Sequence, residues 1–166
     1  MRQFTEGKIS RLAALLLLAG WMAVIYQFSA QPAAESSRVS GRLAYRVAEL
    51  LSPGRSEAEI GQLAQRLDHP IRKAAHMTEY AILGLLFVPV VGSRPGGGRR
   101  GYCMAFLLAV CYAVTDEVHQ IFVPGRSGQV SDVCVDAAGV LLGLLALFFL
   151  RKIRRRHCEK ETHPVQ

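Results

Sequence analysis

The 166-residue sequence lacks the short motifs that mark several common catalytic and metal-binding sites. It contains no HExxH, the signature of many zinc peptidases, and no GxSxG, the signature of many serine hydrolases. Its four cysteines form no CxxC pair, so we interpret them as packing residues and free thiols rather than as a disulfide framework or a zinc site. The glycines at 96–98 follow no predicted strand and precede no Gly-Lys-Ser/Thr. This pattern excludes a P-loop and favours a flexible basic hairpin loop.

Acidic residues are also few. There are 13 Asp and Glu against 20 Lys and Arg, which gives a formal net charge of +7. A basic balance can indicate nucleic-acid binding, but no nucleic-acid-binding motif is present, and the Lys and Arg residues stand beside apolar blocks. We therefore predict no nucleic-acid partner and assign the basic residues to cytoplasmic flanks that contact anionic lipid.

The apolar residues, 51% of the chain, fall into four long blocks separated by polar segments. This pattern predicts an all-α polytopic membrane protein, a four-helix transmembrane bundle in a single domain over residues 1–166. The predicted spans cover about residues 12–29, 74–92, 102–122 and 131–150. A cleavable signal peptide is the alternative for the first block, because Ser29 and Ala30 are small. Trp21 and Tyr26 suit a membrane interface and favour a retained span.

Charge asymmetry predicts the orientation of these spans. Basic residues cluster at the N-terminus, in the loop 94–100 and in the tail 151–166, which lie on one side if all four blocks cross. The positive-inside rule makes that side cytoplasmic, with both termini inside. The loop 30–72 and the turn 123–130 would then lie outside.

The outer loop 30–72 contains two amphipathic stretches. Val39–Leu51 carries its apolar residues on one helical face. Ser56–Glu59 has the pattern of a capping box and opens the second stretch. We predict two short surface-lying helices, and the alternative is a solvated loop without membrane contact.

Every predicted span except the first carries ionisable side chains to its outer end. Charged groups at this depth are costly, so they should face one another or a wet cavity. Many recur at i, i+3 and i+4, which places them on one helical face. Gly139 and Gly143 extend the face of Asp132 and Asp136 and would let two helices approach closely. The candidate ligand-binding residues are Lys73, His76, Glu79, Tyr80, Asp116, Glu117, His119, Gln120, Arg126, Ser131, Asp132 and Asp136.

These residue types are compatible with several kinds of site. Arg126 and Lys73 would bind phosphate or carboxylate, because arginine recognises both groups bidentately. The catalytic candidates are His76, Glu117 and Asp116, of which His76 or Glu117 would be the general acid or base. Histidines with several carboxylates could also bind a divalent metal such as Zn²⁺, but no metal signature is present and we predict no cofactor. Alternatively, the charges only pair with one another and lock the bundle.

Four groups of residues carry a resemblance to a known family. They are Trp21, Gln27 and Ser29 in the first span, Lys73, His76, Glu79, Tyr80 and Gly84 in the second, Thr115, Asp116, Glu117, His119, Gln120, Phe122, Val123, Pro124, Gly125 and Arg126 in and after the third, and Ser131, Asp132, Asp136, Gly139 and Gly143 in the fourth. This combination resembles the VanZ-like family. The resemblance implies a bacterial cytoplasmic-membrane protein, and some relatives are similar to teicoplanin-resistance determinants. Asp136 departs from the family pattern, which often has asparagine there.

Three functional hypotheses follow. The first is the binding of a membrane lipid or cell-envelope precursor at the outer leaflet, linked to glycopeptide resistance. The second is a membrane-embedded hydrolase or transferase that acts on a lipid headgroup or envelope intermediate at the same residues. The third is a structural or partner-binding membrane protein in which the polar residues hold the helices together.

Overall fold

A computed structural model describes residues 2–91 and 98–162, with side chains described for residues 11–91 and 98–157. Within these ranges the chain is entirely helical apart from its connections. The helices are α1 (Arg2–Ser29), α2 (Ala33–Leu51), α3 (Glu57–Val91), α4 (Arg99–Gln120) and α5 (Val130–Thr162). Most of the predicted glycine-rich loop lies outside the described residues.

Four of these helices, α1, α3, α4 and α5, are long and apolar enough to cross a membrane. Large apolar side chains such as Leu16 and Phe149 point away from the bundle, as expected for a surface that contacts lipid. The face of α4 that points into the bundle instead carries a row of small residues, Ala105, Ala109 and Ala113, each fully buried. The predicted all-α membrane bundle with four spans is confirmed.

Helices α3 and α5 form the most extensive contact in the bundle, and glycines allow it. A Cβ atom added at Gly139 would lie 2.3 Å from the carbonyl oxygen of Met77, and one at Gly143 would lie 2.8 Å from that of Ala81. On α3, a Cβ added at Gly84 would lie 2.9 Å from Cγ1 of Val140 in α5. The backbones of α3 and α5 are therefore in direct contact, as predicted from the glycines at 139 and 143.

Two side-chain hydrogen bonds attach the middle of α1 to α3 and α4. The indole N–H of Trp21 donates to the carbonyl oxygen of Glu79 in α3 at 2.9 Å. The hydroxyl of Tyr112 in α4 donates to the carbonyl oxygen of Met22 at 2.7 Å. These bonds, together with the buried Ile25, fix α1 against α3 and α4.

The second amphipathic stretch and the second predicted span belong to one continuous helix, not to two separate ones. The second amphipathic stretch is helical and begins with the predicted capping box, in which the Ser56 N–H donates to Glu59 Oε2 at 3.1 Å. It does not end before the span, however, because α3 runs unbroken for 35 residues through Pro70. The polar residues 68–73 resembled a boundary, but polarity alone does not end a helix.

The first part of α3 forms a helical hairpin with α2. Ala44 and Ala48 of α2 are fully buried against Ile60 and Ala64 of α3. Arg72 reinforces the pairing, since its Nη2 donates to the hydroxyl groups of two α2 serines, at 3.0 and 3.3 Å. The hairpin therefore continues the bundle at one end.

Candidate functional site

A polar cavity of about 180 Å³ lies at the end of the bundle where α4 ends and α5 begins. We call it the polar cavity. Helix α3, the end of α4, the loop 121–129, the start of α5 and the first residue of α2 all contribute to its wall. Its lining residues are Ala33, His69, Arg72, Lys73, His76, Glu117, Gln120, Gly125, Arg126, Ser127, Gln129, Asp132, Val135 and Asp136.

The cavity brings together many of the residues that the sequence indicated, but not all of them. Those that line it are Lys73, His76, Glu117, Gln120, Arg126, Asp132 and Asp136. Tyr80 and Asp116 are buried in the bundle and do not line it. His119 stacks on Tyr26 of α1, with ring centroids 4.7 Å apart. Ser131 is exposed, and its hydroxyl donates to Gln129 and Asp132.

Several charges around the cavity are paired. Lys73 Nζ lies 3.2 Å from Asp132 Oδ1, which joins α3 to α5. Arg72 Nη2 lies 2.9 Å from Asp68 Oδ2 within α3. His76 Nδ1 lies 3.8 Å from Glu79 Oε2, so a carboxylate stands beside the imidazole that faces the cavity. The structural pairing considered above therefore holds for Lys73.

Arg126 is held differently. The turn before it contains Gly125 with φ +76°, a conformation that favours glycine. The guanidinium donates through Nη2 to the carbonyl oxygen of Phe28 at 3.1 Å. Among the described residues it forms no ion pair within 4.0 Å. Burial lowers the pKa of Arg126, and the nearby positive charge of Arg72 lowers it further, but arginine remains protonated at neutral pH.

Glu117 has a defined backbone partner. Its Oε2 accepts a hydrogen bond from the N–H of Gln129 at 2.8 Å, directly before α5 begins. Gln120 donates to Asp116 Oδ2 at 3.3 Å, one turn earlier on α4. The end of α4 therefore supports both the cavity and the start of α5.

Asp136 is the most deeply buried carboxylate of the cavity, with only 1% of its surface exposed. Its Oδ1 has no hydrogen-bond partner among the described residues. It lies one helical turn after Asp132, on the stripe of α5 that continues through the buried Val140 and Leu144. Burying an oxygen without a hydrogen-bond donor costs free energy. Oδ1 of Asp136 is therefore an unsatisfied hydrogen-bond acceptor in the wall of the cavity.

Part of the cavity wall, chiefly His69 and Arg72, is not among the residues predicted from the sequence. Both were assigned to a loop, whereas they lie on α3 one turn and more before His76. The spacing of residues 69, 72, 73 and 76 places them on one helical face, and this signal was available once the helix was continued backwards. Ser127 and Gln129 were also missed, because loop residues carry no periodic signal.

The described residues contain no group of three or more His, Cys, Asp or Glu side chains arranged to hold a metal ion. Of the two histidines that line the cavity, His76 stands 3.8 Å from the carboxylate of Glu79.

Comparison with known proteins places the chain in a family. The model of the VanZ/LLP1 family matches residues 14–151, which include most of each of the four spans and every residue that lines the polar cavity. No curated protein and no solved structure matches the chain. Since the match covers most of the sequence, this membrane protein belongs to the VanZ/LLP1 family.

Proposed function

We propose that the polar cavity binds the anionic headgroup of a membrane lipid or of a lipid-linked cell-envelope precursor at the outer face of a bacterial cytoplasmic membrane. The observation that carries the proposal is Arg126, a half-buried cation that faces the cavity without a carboxylate within 4.0 Å among the described residues. Its fork of N–H donors matches a phosphate or a carboxylate.

The neighbouring charges strengthen the positive character of this part of the cavity. Arg72 and Lys73 line the same wall, and the charge of Arg72 already disfavours the protonated form of Arg126. An anion between the two arginines would relieve this repulsion. Because both guanidinium groups are held by hydrogen bonds to the protein, little side-chain ordering would be needed on binding.

The surroundings of the cavity favour a ligand that remains in the membrane. Apolar side chains next to it, Ile121, Phe122 and Val130, are largely exposed, Phe122 to 80%. On a membrane protein such residues contact acyl chains or the interface. A lipid could therefore keep its chains beside α4 and α5 while its headgroup enters the cavity.

We further infer that the cavity faces outward, as the basic flanks of the spans indicate. We expect Gln62→Cys, an exposed position on α3, to react with a membrane-impermeant maleimide in intact cells. The native Cys158 of the basic tail is the internal control and should react only after permeabilisation. The labelling is done with Cys103, Cys111 and Cys134 replaced by alanine. The opposite labelling pattern would invert the orientation.

The proposal predicts that Arg126→Gln weakens binding of phospholipids. We expect at least about a tenfold loss, since a charge-assisted hydrogen bond contributes about 1.5–3 kcal/mol. The measurement is native mass spectrometry of the detergent-solubilised protein titrated with phosphatidylglycerol and phosphatidylethanolamine. Arg42→Gln, which removes an exposed arginine of α2, is the matched control.

Unchanged affinity for both lipids in Arg126→Gln would overturn the proposed function. The proposed link to glycopeptide resistance is tested with the same pair of variants. Teicoplanin susceptibility of bacteria that express the wild type should differ from that of bacteria that express Arg126→Gln, and Arg42→Gln should behave as wild type.

A further inference from the structure

The charges of the polar cavity do not cancel in pairs. Lys73 is paired with Asp132, and Arg72 with Asp68. The formal charges of the cavity wall that remain without an ion pair within 4.0 Å, among the described residues, are those of Arg126, Glu117 and Asp136. One cation and two carboxylates therefore face the same small space.

The carboxylates are much more buried than the cation. Asp136 is 1% exposed and Glu117 is 6% exposed, and Oδ1 of Asp136 has no hydrogen-bond donor. A buried carboxylate without a partner is strongly unfavourable, and a partner that donates hydrogen bonds and carries positive charge removes most of that cost. The described part of the protein supplies no such partner to Oδ1 of Asp136, and Glu117 has only the neutral N–H of Gln129.

We propose that the cavity selects a dipolar headgroup, in which a primary ammonium lies close to an anionic group. The anion binds at Arg126, and the ammonium donates its hydrogen bonds to Asp136 and Glu117. The inference rests on the proposed function and names the class of its ligand. An ammonium has three N–H donors, whereas a quaternary amine has none and a glycerol headgroup has no charge to offer.

The size of the cavity agrees with a headgroup as the part that enters. Its volume, about 180 Å³, is below the range of about 300–1,000 Å³ that is typical of sites for whole drug-sized ligands. Two sources share this chemistry: the phosphoethanolamine of a phospholipid, and an amino group next to a carboxylate in an envelope peptide. The experiment separates them.

The test is competition for the purified, detergent-solubilised protein. Native mass spectrometry compares phosphatidylethanolamine, phosphatidylglycerol, phosphatidylcholine and phosphatidylethanolamine whose amine has been acetylated. We expect the wild type to prefer the free amine over each of the other three by about tenfold. Soluble O-phosphoethanolamine and a lysyl-alanine dipeptide are then added as competitors, and the more effective one identifies the source.

The Asp136→Asn variant should lose the preference for the free amine and still bind phosphatidylglycerol, because Arg126 is intact. Glu49→Gln, which removes an exposed carboxylate of α2, is the matched control and should keep the preference. Equal affinity of the wild type for the free and the acetylated amine overturns the inference, and this measurement does not depend on the folding of any variant.

The failure of the inference is distinguishable from the failure of the proposed function. If wild-type protein binds phosphatidylglycerol as well as phosphatidylethanolamine, and Arg126→Gln weakens both, the anion site stands and the ammonium site does not. If Arg126→Gln weakens neither lipid, both proposals fall.

Discussion

Replacing Gly139 with alanine is expected to destabilise the bundle by about 3 kcal/mol, in the upper part of the range for overpacked cores. The added Cβ would lie 2.3 Å from the carbonyl oxygen and 2.8 Å from the Cα of Met77. Both are backbone atoms, so no rotamer change relieves the overlap, and α3 and α5 must move apart. Thermal unfolding in detergent measures the loss as a lower transition temperature.

Gly20→Ala is the matched control for this prediction. Gly20 lies inside α1, and a Cβ there would have no heavy atom within 4 Å. Alanine is the better helix former, so this variant should unfold at or slightly above the wild-type temperature. A Gly139→Ala protein that is as stable as Gly20→Ala would contradict the close α3–α5 contact.

The second large effect is expected for Glu117→Ala, a loss of about 1–3 kcal/mol in the free energy of unfolding. Glu117 accepts the N–H of Gln129 at 2.8 Å, and its negative charge stands at the N-terminus of α5, where a helix favours anions. Alanine removes both the acceptor and the charge. Glu117→Gln retains an oxygen that can accept the bond and should lose much less stability.

The Glu117→Ala and Glu117→Gln variants also distinguish a catalytic role of Glu117 from a structural one. A general acid or base at Glu117 would be lost equally in the alanine and the glutamine variants, whereas a role in holding α5 is lost mainly in the alanine variant. The readouts are the unfolding temperature and the mass of any lipid product after incubation with the purified protein. Equal instability of the two variants would exclude the hydrogen bond to Gln129 as the reason for burying Glu117.

Much of the fold could be predicted because the length of an apolar block is a local property of the sequence. The spacing of Asp132 and Asp136 put both on one face of a helix, and both line the cavity. Gly139 and Gly143 were expected at a close helix contact, and the contact is there. In each case the helical period alone sufficed.

The rest depends on contacts between distant segments. That α3 continues through Pro70 follows from its pairing with α2, through Arg72 and the buried alanines, which no local pattern expresses. The same continuity brings His69 into the cavity wall. His119 satisfied the spacing rule but stacks on Tyr26, because the partner of an aromatic ring is chosen by packing between helices.

The residues of the cavity wall lie far apart along the chain, so the wall cannot form until the last of them has been synthesised. Its α3 residues leave the ribosome before those of α4 and α5, but the acid that pairs with Lys73 belongs to α5, and the N–H that binds Glu117 comes directly before that helix. Until the last span inserts, these charges have no partners at the membrane surface. A nascent chain that stops after α4 therefore lacks the partners of Lys73 and Glu117, and insertion of α5 completes the fold and the site in one step.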